Sequence, residues 1–392
     1  MRSVSDTAVW LFLCAVFLAA PATVAQTSLS AEESDKVSAL FDSRAPDVLK
    51  CELERWPPAL DFVFRYMSGY IAYCRLRQFG GRKTEVVAYV RITPEGKAPT
   101  LFESHYLIPE ISDVMRKSAG TDLRNLKEEI GFSGAFGLGT GKYKFELLVE
   151  DGEARTYRKN WKLRVQTKRS DRGVALALHP LTLEASDSRF REATAWRNDG
   201  KLRLSILLDA APMNPYQSSL RAWDRELLLE SLYSVLRQTP HQSIHLVAFN
   251  LEQQRELFRS DNFDATAFQA LLQNLSDAEL SSVSVQALRK RDSPEFLIAL
   301  ANQELAADRS DAIIFLGPNM RMETRMSVAA LTARKAHNPP FFYFEFHAVV
   351  GAPFPDSIAW LVKEANGRVF AIHSPAELDN SIDKMLGQLK QQ

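Results

Sequence analysis

The stretch Leu204-Ser205-Ile206-Leu207-Leu208-Asp209-Ala210-Ala211-Pro212-Met213 decides how the second half of this chain folds. Its first five residues are almost continuously apolar, as in a strand that is buried on both faces between two layers of helices. Asp209 ends the run and therefore stands at the carboxyl end of the predicted strand. Open α/β sheets usually place their ligands at that end, so the first candidate site lies here.

The rest of the C-terminal half alternates short β-rich runs with helical segments, which is typical of a sheet covered by helices on both faces. The predicted strands are Leu202–Leu208, Ile244–Asn250, Ala312–Leu316, Phe341–Phe346 and Val369–Ile372, with a weaker edge strand at Glu256–Arg259. The predicted helices are Ser219–Gln238, Ala265–Leu275, Glu295–Ala307, Glu323–His337, Ser357–Ala365 and Ala376–Leu389. The sequence therefore predicts an α/β domain over residues 202–392.

The N-terminal half has a different pattern, because apolar and polar residues alternate there with the two-residue period of strands. Short segments of this kind, separated by glycine-bearing turns, predict an all-β domain over residues 60–165, a β-sandwich of immunoglobulin-like type. The predicted strands are Phe62–Arg77, Val86–Ile92, Thr100–Ile108, Lys142–Glu150 and Tyr157–Val165, with Asp113–Ile130 as a less regular or partly helical insertion.

Two regions flank the predicted sandwich. Residues 26–59 are interpreted as an N-terminal extension, and residues 166–201 as a connection in which Val174–Leu183 is a candidate edge strand. Within the sandwich, the glycine-rich stretch Gly131–Lys142 predicts a flexible bend between strands. It is not a phosphate loop, because Phe136 stands where such a loop needs its first glycine and a strand pattern follows the lysine.

Composition and the first residues indicate the compartment. The chain has 392 residues, 46% of them hydrophobic, which suits about two globular domains, and its formal net charge of zero gives no global attraction to nucleic acid. Residues 1–25 look like a secretory signal, since Arg2 precedes the apolar run Val9–Ala20 and small residues end it at Thr23-Val24-Ala25. That run falls short of the roughly 20 residues that cross a bilayer. We therefore expect an exported protein, periplasmic or extracellular, with no membrane span in the mature chain.

Two cysteines remain outside the signal segment, Cys51 and Cys74. An exported protein reaches an oxidising compartment, where a disulfide between them would stabilise the fold by on the order of 3 kcal/mol. The alternative is a pair of buried thiols, and the sequence leaves both possibilities open. Two cysteines without paired histidines do not predict a zinc site.

The order of elements from Leu202 onward, with the run Asp311–Leu316 and the closing segment Ala365–Phe370, resembles the von Willebrand factor A fold over about half of the chain. The resemblance implies a Rossmann-like, doubly wound sheet with a crevice at the carboxyl ends of its strands. Members of that family generally use this end to bind proteins through a magnesium ion. The upstream half, with Cys51 and the pair Pro57-Pro58, looks like the β-rich region that precedes such domains in a group of exported bacterial proteins.

The family's metal motif, Asp-x-Ser-x-Ser, is only partly kept. Asp209 matches the aspartate, but Ala211 and Met213 stand at the two hydroxyl positions, and Gly317-Pro318-Asn319 replaces a further aspartate. Ser293 is a loose match to the threonine of the second loop. Magnesium needs near-octahedral oxygen ligation, so we expect no metal and no cofactor, with Asp209 and Ser293 as residual metal candidates. Both have structural alternatives, since Asp209 can accept from backbone donors in its turn and Ser293 can cap a helix.

The crevice end can still bind a protein partner. The predicted partner-binding residues are Asp209, Asn214, Tyr216, Asn319 and Arg321, because loop tyrosines and arginines make good interface anchors. Elsewhere, Glu345 and His347 share one face of a strand, as an acid/base pair could, but neither has an evident third partner. The basic run Arg155–Arg172 predicts a solvated edge rather than a nucleic-acid surface, because its aromatic residues fall on the core face.

The leading hypothesis is an exported, non-catalytic protein in which a β-sandwich precedes a von Willebrand factor A-like domain that binds another protein without a metal. The first alternative is a metal-dependent adhesion module with rearranged ligands. The second alternative is an α/β hydrolase.

Overall fold

A computed structural model of the chain describes residues 26–43, 47–110, 128–186, 190, 200–214, 220–280, 293–307, 309–319, 331, 338–347 and 356–391. The chain mixes helices with antiparallel sheets and a sheet that contains parallel strands. It divides into two compact units, the first comprising residues up to Ala59, Arg65–Thr167 and Leu178–Arg189. The second comprises Leu60–Phe64, Lys168–Ala177 and Phe190–Gln392. The predicted signal segment, most of the predicted insertion and nearly all of the predicted helix Glu323–His337 lie outside the described residues.

The first unit contains two sheets and one helix. Its strands are β1 (Thr27–Ser28), β2 (Cys51–Leu60), β3 (Tyr66–Arg75), β4 (Thr84–Pro94), β5 (Thr100–Ile108), β6 (Glu129–Leu138), β7 (Gly141–Asp151), β8 (Thr156–Val165) and β9 (Leu183–Ala185), and its helix is α1 (Ala31–Asp42). The sheets have the orders β1-β5-β4-β7-β8 and β2-β3-β6-β9. Aromatic side chains join them, with the rings of Tyr106 and Phe132 5.1 Å apart and those of Phe102 and Phe136 also 5.1 Å apart. Edge-to-face pairs of this kind stabilise a core beyond the area they bury.

Strand β6 corrects the prediction of a flexible bend at Gly131–Lys142. Each residue from Glu129 to Leu138 pairs with a residue of β3. The glycines make room for large neighbours, because a Cβ at Gly134 would lie 2.7 Å from the Tyr70 ring and one at Gly137 would lie 2.9 Å from Arg65 Cδ. The glycines therefore reflect close packing in a strand, and the local sequence alone did not reveal which side chains they face.

The first unit also extends beyond the predicted boundaries of the sandwich. Residues 26–59, predicted as an extension, contribute β1, α1 and most of β2. In the predicted connection, the edge strand begins only at Leu183, at the end of the segment suggested for it, and pairs with β6. Strand β2 contains Pro57 and Pro58, which lack amide hydrogens and suit an edge position. A disulfide between Cys51 and Cys74 and a 2.7 Å hydrogen bond from Ser68 Oγ to the Trp56 carbonyl tie β2 to β3.

The second unit is a six-stranded sheet with helices. Its strands are β10 (Leu202–Asp209), β11 (His241–Asn250), β12 (Arg255–Ser260), β13 (Ala312–Pro318), β14 (Phe341–Phe346) and β15 (Arg368–Ile372). Its helices are α2 (Ala222–Gln238), α3 (Ala265–Leu280), α4 (Ser293–Ala307), α5 (Ser357–Glu364) and α6 (Pro375–Leu389). The sheet order is β12-β11-β10-β13-β14-β15, and only β12 runs antiparallel to its neighbour. The predicted strands of this half match these elements to within a few residues.

Alternate residues of β10 face opposite layers of helices. Leu204, Ile206 and Leu208 join a core that includes residues of α2, α3 and α6. Leu207 joins a second core with residues of α4 and α5. The continuous apolar run arises because both faces of the strand are buried, as expected for a strand between two helix layers. None of the described helices is both long and apolar enough to cross a membrane.

Candidate functional site at the carboxyl end of the parallel sheet

The carboxyl ends of the parallel strands bring together several of the residues singled out in the sequence. Asp209 ends β10, Asn319 follows β13, and Glu345 lies near the end of β14. Asn214 is partly buried in the segment after β10. Tyr216 and Arg321 lie outside the described residues. Parallel strands place these ends at the same edge of the sheet, which is where the family resemblance expects a site.

Asp209, one of the predicted partner-binding residues, is completely buried in this structure. Its Oδ1 atom accepts a 3.1 Å hydrogen bond from the Leu251 amide, whereas Oδ2 has no hydrogen-bond partner among the described residues. Burial raises the pKa of Asp209 well above its ordinary value, and the nearby carboxylates of Asp356 and Glu252 raise it further, against the lowering effect of the Leu251 bond. A Cβ at position 317 would lie 2.8 Å from Asp209 Cβ, so Gly317 permits this close approach.

The two residues at the hydroxyl positions of the motif point into the protein. Ala211 is fully buried, and Met213 is 4% exposed and belongs to the core that faces α2. The segment is held by Asp224 in the first turn of α2, whose carboxylate accepts from the amides of Met213 (3.2 Å) and Arg221 (3.1 Å). This segment therefore serves as packing between β10 and α2, and it presents no hard oxygen from either position.

A second pair of polar residues at this edge, Asn319 and Glu345, is hydrogen-bonded within the protein. Asn319, only 9% exposed, donates from Nδ2 to Glu345 Oε1 at 2.6 Å. Glu345 Oε2 lies 3.2 Å from His347 Nε2, close enough for an ion pair but not aligned for a hydrogen bond. The His347 ring stacks on that of His373 with centroids 4.7 Å apart. Asn319, also one of the predicted partner-binding residues, therefore positions Glu345.

The described side chains form no metal site around the two residual metal candidates, Asp209 and Ser293. Helix α4 begins at Ser293, as a helix start was predicted there, but the proposed roles of its side chain lie outside the described residues. Within the described ranges, no group of three or more His, Cys, Asp or Glu side chains is placed to hold a metal ion. Asp209 is thus a single buried carboxylate, without a described second ligand.

Trp223 was not among the predicted residues, although it occupies this same edge. It lies in the first turn of α2, which starts shortly after β10 ends, and it is 58% exposed. Tryptophan is strongly enriched among residues that dominate binding at protein interfaces. The signal in the sequence was an aromatic residue outside the apolar stripe of a predicted helix.

A buried polar network crosses the other half of the sheet and was also missed. Glu304 of α4 is 1% exposed and accepts from Ser205 Oγ at 2.6 Å. Its Oε1 atom lies 3.2 Å from His245 Nε2 and 3.3 Å from Arg259 Nη1. Burial raises the pKa of Glu304, but the hydrogen bonds from His245 and Ser205 outweigh it, so the pKa lies below the ordinary value. Ser205 bonds to the carboxylate and not to the histidine, so the group has no activated nucleophile and acts as a structural tie.

Comparisons with known proteins add little to this geometry. No family model and no curated protein matches the chain. Among solved structures, Bacteroides uniformis β-glucuronidase is 10% identical, with 77% of this chain and 36% of that chain covered and a TM-score of 0.20. A glycosyl hydrolase family 2 member from Bacteroides cellulosilyticus is 11% identical, with 80% and 36% covered and a TM-score of 0.19. The chain thus spans about a third of these enzymes. TM-scores this low carry no argument about fold or activity.

Proposed function

We propose that this chain is an exported, non-catalytic protein that binds another protein through a metal-free von Willebrand factor A-like domain, preceded by an immunoglobulin-like β-sandwich. The sheet order β12-β11-β10-β13-β14-β15, with one antiparallel edge strand and apolar cores on both faces, supports a Rossmann-like, doubly wound second unit. The two antiparallel sheets of the first unit support the sandwich. Export remains an expectation from residues 1–25.

We infer that binding needs no metal from the oxygen donors at the carboxyl ends of the parallel strands. Magnesium is held by oxygen ligands in near-octahedral geometry and gives up its water shell reluctantly. One carboxylate oxygen of Asp209 already accepts a hydrogen bond from the Leu251 amide. Ala211 and Met213 are packed in apolar surroundings. Asn319 and Glu345 satisfy each other. Among the residues that the structure describes at this end, Asp209 Oδ2 is left without a partner, and a single carboxylate oxygen cannot replace the water shell of magnesium.

Protein binding at this edge is supported above all by the exposure of Trp223. A large aromatic side chain that is 58% exposed loses contact with water when a partner covers it, and this burial favours association. Among the described residues at this edge, the carboxylate of Asp224 and the amide of Asn319 are hydrogen-bonded within the fold, so recognition would depend on shape and apolar contact. Tyr216 and Arg321 belong to the same proposed surface by their sequence positions alone.

Partner capture tests this proposal. The mature chain is used as bait against the native envelope or secreted fraction, together with Trp223→Ala, a Tyr216→Ala/Arg321→Ala double variant, and Trp56→Ala as the matched control in the first unit. We expect wild type and Trp56→Ala to retain the same protein and Trp223→Ala to bind it at least about tenfold more weakly. Unchanged binding by Trp223→Ala would refute the assigned surface. Hydrolysis of a broad ester panel by the wild type would instead favour the hydrolase alternative.

Melting curves separate the metal-free proposal from a rearranged adhesion site. A ligand that binds only the native state raises its stability, so we expect millimolar magnesium or manganese to leave the melting temperature unchanged. We also expect Asp209→Asn to be more stable than wild type at pH 7 by about 1–3 kcal/mol, because a neutral amide avoids the cost of burying a carboxyl group whose pKa is raised. The exposed replacement Asp383→Asn is the control and should change stability little.

The sign of this effect follows from the raised pKa of Asp209. The native state keeps its proton at pH values where the unfolded chain, with an ordinary value of 3.8, has lost it. The unfolded state then binds fewer protons, so wild-type stability falls as pH rises from about that value towards the native pKa. The advantage of Asp209→Asn should therefore grow over that range. A metal-induced rise in melting temperature that Asp209→Asn abolishes would exclude the metal-free proposal.

A further inference from the structure

Strand β8 forms an edge of the five-stranded sheet and leaves part of its backbone open. It pairs with β7 from Gly141↔Val165 to Glu150↔Thr156 without an irregularity. The Thr156 carbonyl points away from β7, since it accepts from the amides of Val48 and Leu49. Backbone groups on a strand alternate in direction, so those of Asn160, Lys162 and Arg164 point the same way as those of Thr156. Among the described residues, these three have no backbone partner on that side.

The outer face of this edge concentrates positive charge. Lys142 stands opposite Arg164 and Lys144 opposite Lys162, and like charges directly opposite each other destabilise a sheet. We call these four residues the basic edge. Lys142 pairs with Glu95 and Lys144 with Glu146, each at 2.9 Å, whereas the two β8 members of the basic edge, Lys162 and Arg164, have no carboxylate partner in the described part of the chain. Both β8 cations are exposed.

A groove of about 470 Å³ lies over β7, on the side of β8 away from its open backbone groups, and the four residues of the basic edge line it. The hairpin Thr93–Gly96 forms its other wall, and Tyr143 and Leu163 also line it. Its apolar surface is therefore bordered by cations. This combination suits a chain that carries carboxylates on one face and apolar side chains on the other.

We propose that the basic edge receives an extended acidic segment of a partner protein, which adds to β8 as a further strand. The segment's backbone would pair with the open groups of Asn160, Lys162 and Arg164, and its carboxylates would lie beside Lys162 and Arg164. This surface lies on the first unit and is independent of the partner site proposed for the second unit.

The open backbone groups favour a polypeptide over other polyanions. An anionic polysaccharide can neutralise the cations, but it cannot supply amide and carbonyl groups at the 3.2–3.4 Å spacing per residue of a strand. The charge also disfavours a second copy of the chain, because two such edges would bring like charges together. The cations therefore discourage unspecific edge pairing and select for acidic sequences.

Fluorescence anisotropy of the mature full chain tests this proposal. The probe is a labelled peptide of about ten alternating glutamates and valines, compared with the same peptide N-methylated at alternate residues in either register. We expect the unmethylated peptide to bind, and methylation in one register to weaken binding by about tenfold or more, since it removes the amides that face β8. Equal binding of all the peptides would overturn strand addition, as would failure of the unmethylated peptide to bind.

Charge and backbone variants identify the surface. We expect Lys162→Glu/Arg164→Glu to weaken binding by about tenfold or more, whereas Arg82→Glu/Lys83→Glu, a matched reversal at the opposite end of β4, should change it less than about twofold. Asn160→Pro keeps the charge but removes an outward amide, and it should weaken binding with an unchanged circular dichroism spectrum. Loss of binding in the Arg82/Lys83 variant would overturn the assignment. Displacement of the peptide by a sulfated polysaccharide at lower concentration than by unlabelled peptide would also overturn it.

Discussion

Replacing Glu304 with alanine is expected to lower the free energy of unfolding by about 3–5 kcal/mol, the usual cost of removing one partner from a buried ion pair. Glu304 is 1% exposed and is the common acceptor for Ser205, His245 and Arg259. Its loss leaves the Ser205 hydroxyl and His245 Nε2 without this acceptor and creates a cavity in the core around α4, whereas Arg259 keeps its bonds to Glu256. Urea denaturation followed by circular dichroism measures the change.

Two control variants separate the contribution of the Glu304 charge to the free energy of unfolding from that of its hydrogen bonds. Ser205→Ala removes a single neutral donor and is expected to cost about 1 kcal/mol. Glu304→Gln keeps the volume but not the charge, and it should fall between the two other variants. A loss below about 1 kcal/mol in Glu304→Ala would contradict the structural role assigned to this network.

The pH dependence of this network has a defined sign. The pKa of Glu304 in the native state is below the ordinary value of 4.5, so below that value the unfolded chain binds more protons than the native state. The stability that the carboxylate contributes is therefore fully present above about pH 4.5 and is lost as pH falls through the native pKa. The gap in stability between wild type and Glu304→Gln should accordingly stay constant from pH 7 to about pH 4.5 and shrink below it.

Removing the disulfide is expected to lower the stability of the first unit by roughly 3 kcal/mol. The bridge from Cys51 to Cys74 spans 23 residues, and a loop of this size restricts the unfolded chain by that amount. The effect should be concentrated in β2, whose two prolines weaken its pairing. A Cys51→Ala/Cys74→Ala variant measured by urea denaturation provides the value.

Reduction gives the matched control for this variant. A thiol reductant should bring the wild-type protein close to the stability of the double variant, and it should leave the variant unchanged. A double variant as stable as the oxidised wild type would show that β2 is held by its packing and by the Ser68 bond alone.

The strands of the second unit could be predicted because a strand that is buried on both faces is apolar at consecutive positions, which the local sequence shows. Phe341–Phe346, for example, is apolar almost throughout and forms β14 with the predicted bounds. The glycines of β6 could not be interpreted in this way. Glycine is needed at these positions because the large side chains of Tyr70 and Arg65 pack against them. Both residues are distant in sequence and contact the glycines only in the folded sheet.

The same distinction applies to the candidate site. The motif positions around Asp209 were identified from the sequence, but its burial depends on Leu251 and Gly317 in other strands. Glu304 did leave a local signal, since it shares a helix face with Leu297, Leu300 and Ala301. A charged residue in an apolar stripe indicates a buried partner, and the polar residues Ser205 and His245 in otherwise apolar strands were the matching half of that pattern.

The packing of Met213 limits how this protein could acquire an ion site at Asp209. Serines placed at positions 211 and 213 would create the Asp-x-Ser-x-Ser pattern in the sequence. Their hydroxyls would, however, enter an apolar interior and lose hydrogen bonds to water. The loop would first have to detach from Asp224 and rebuild its path. Acquiring an ion site therefore requires a concerted change of backbone and side chains, and stepwise mutation would pass through less stable intermediates.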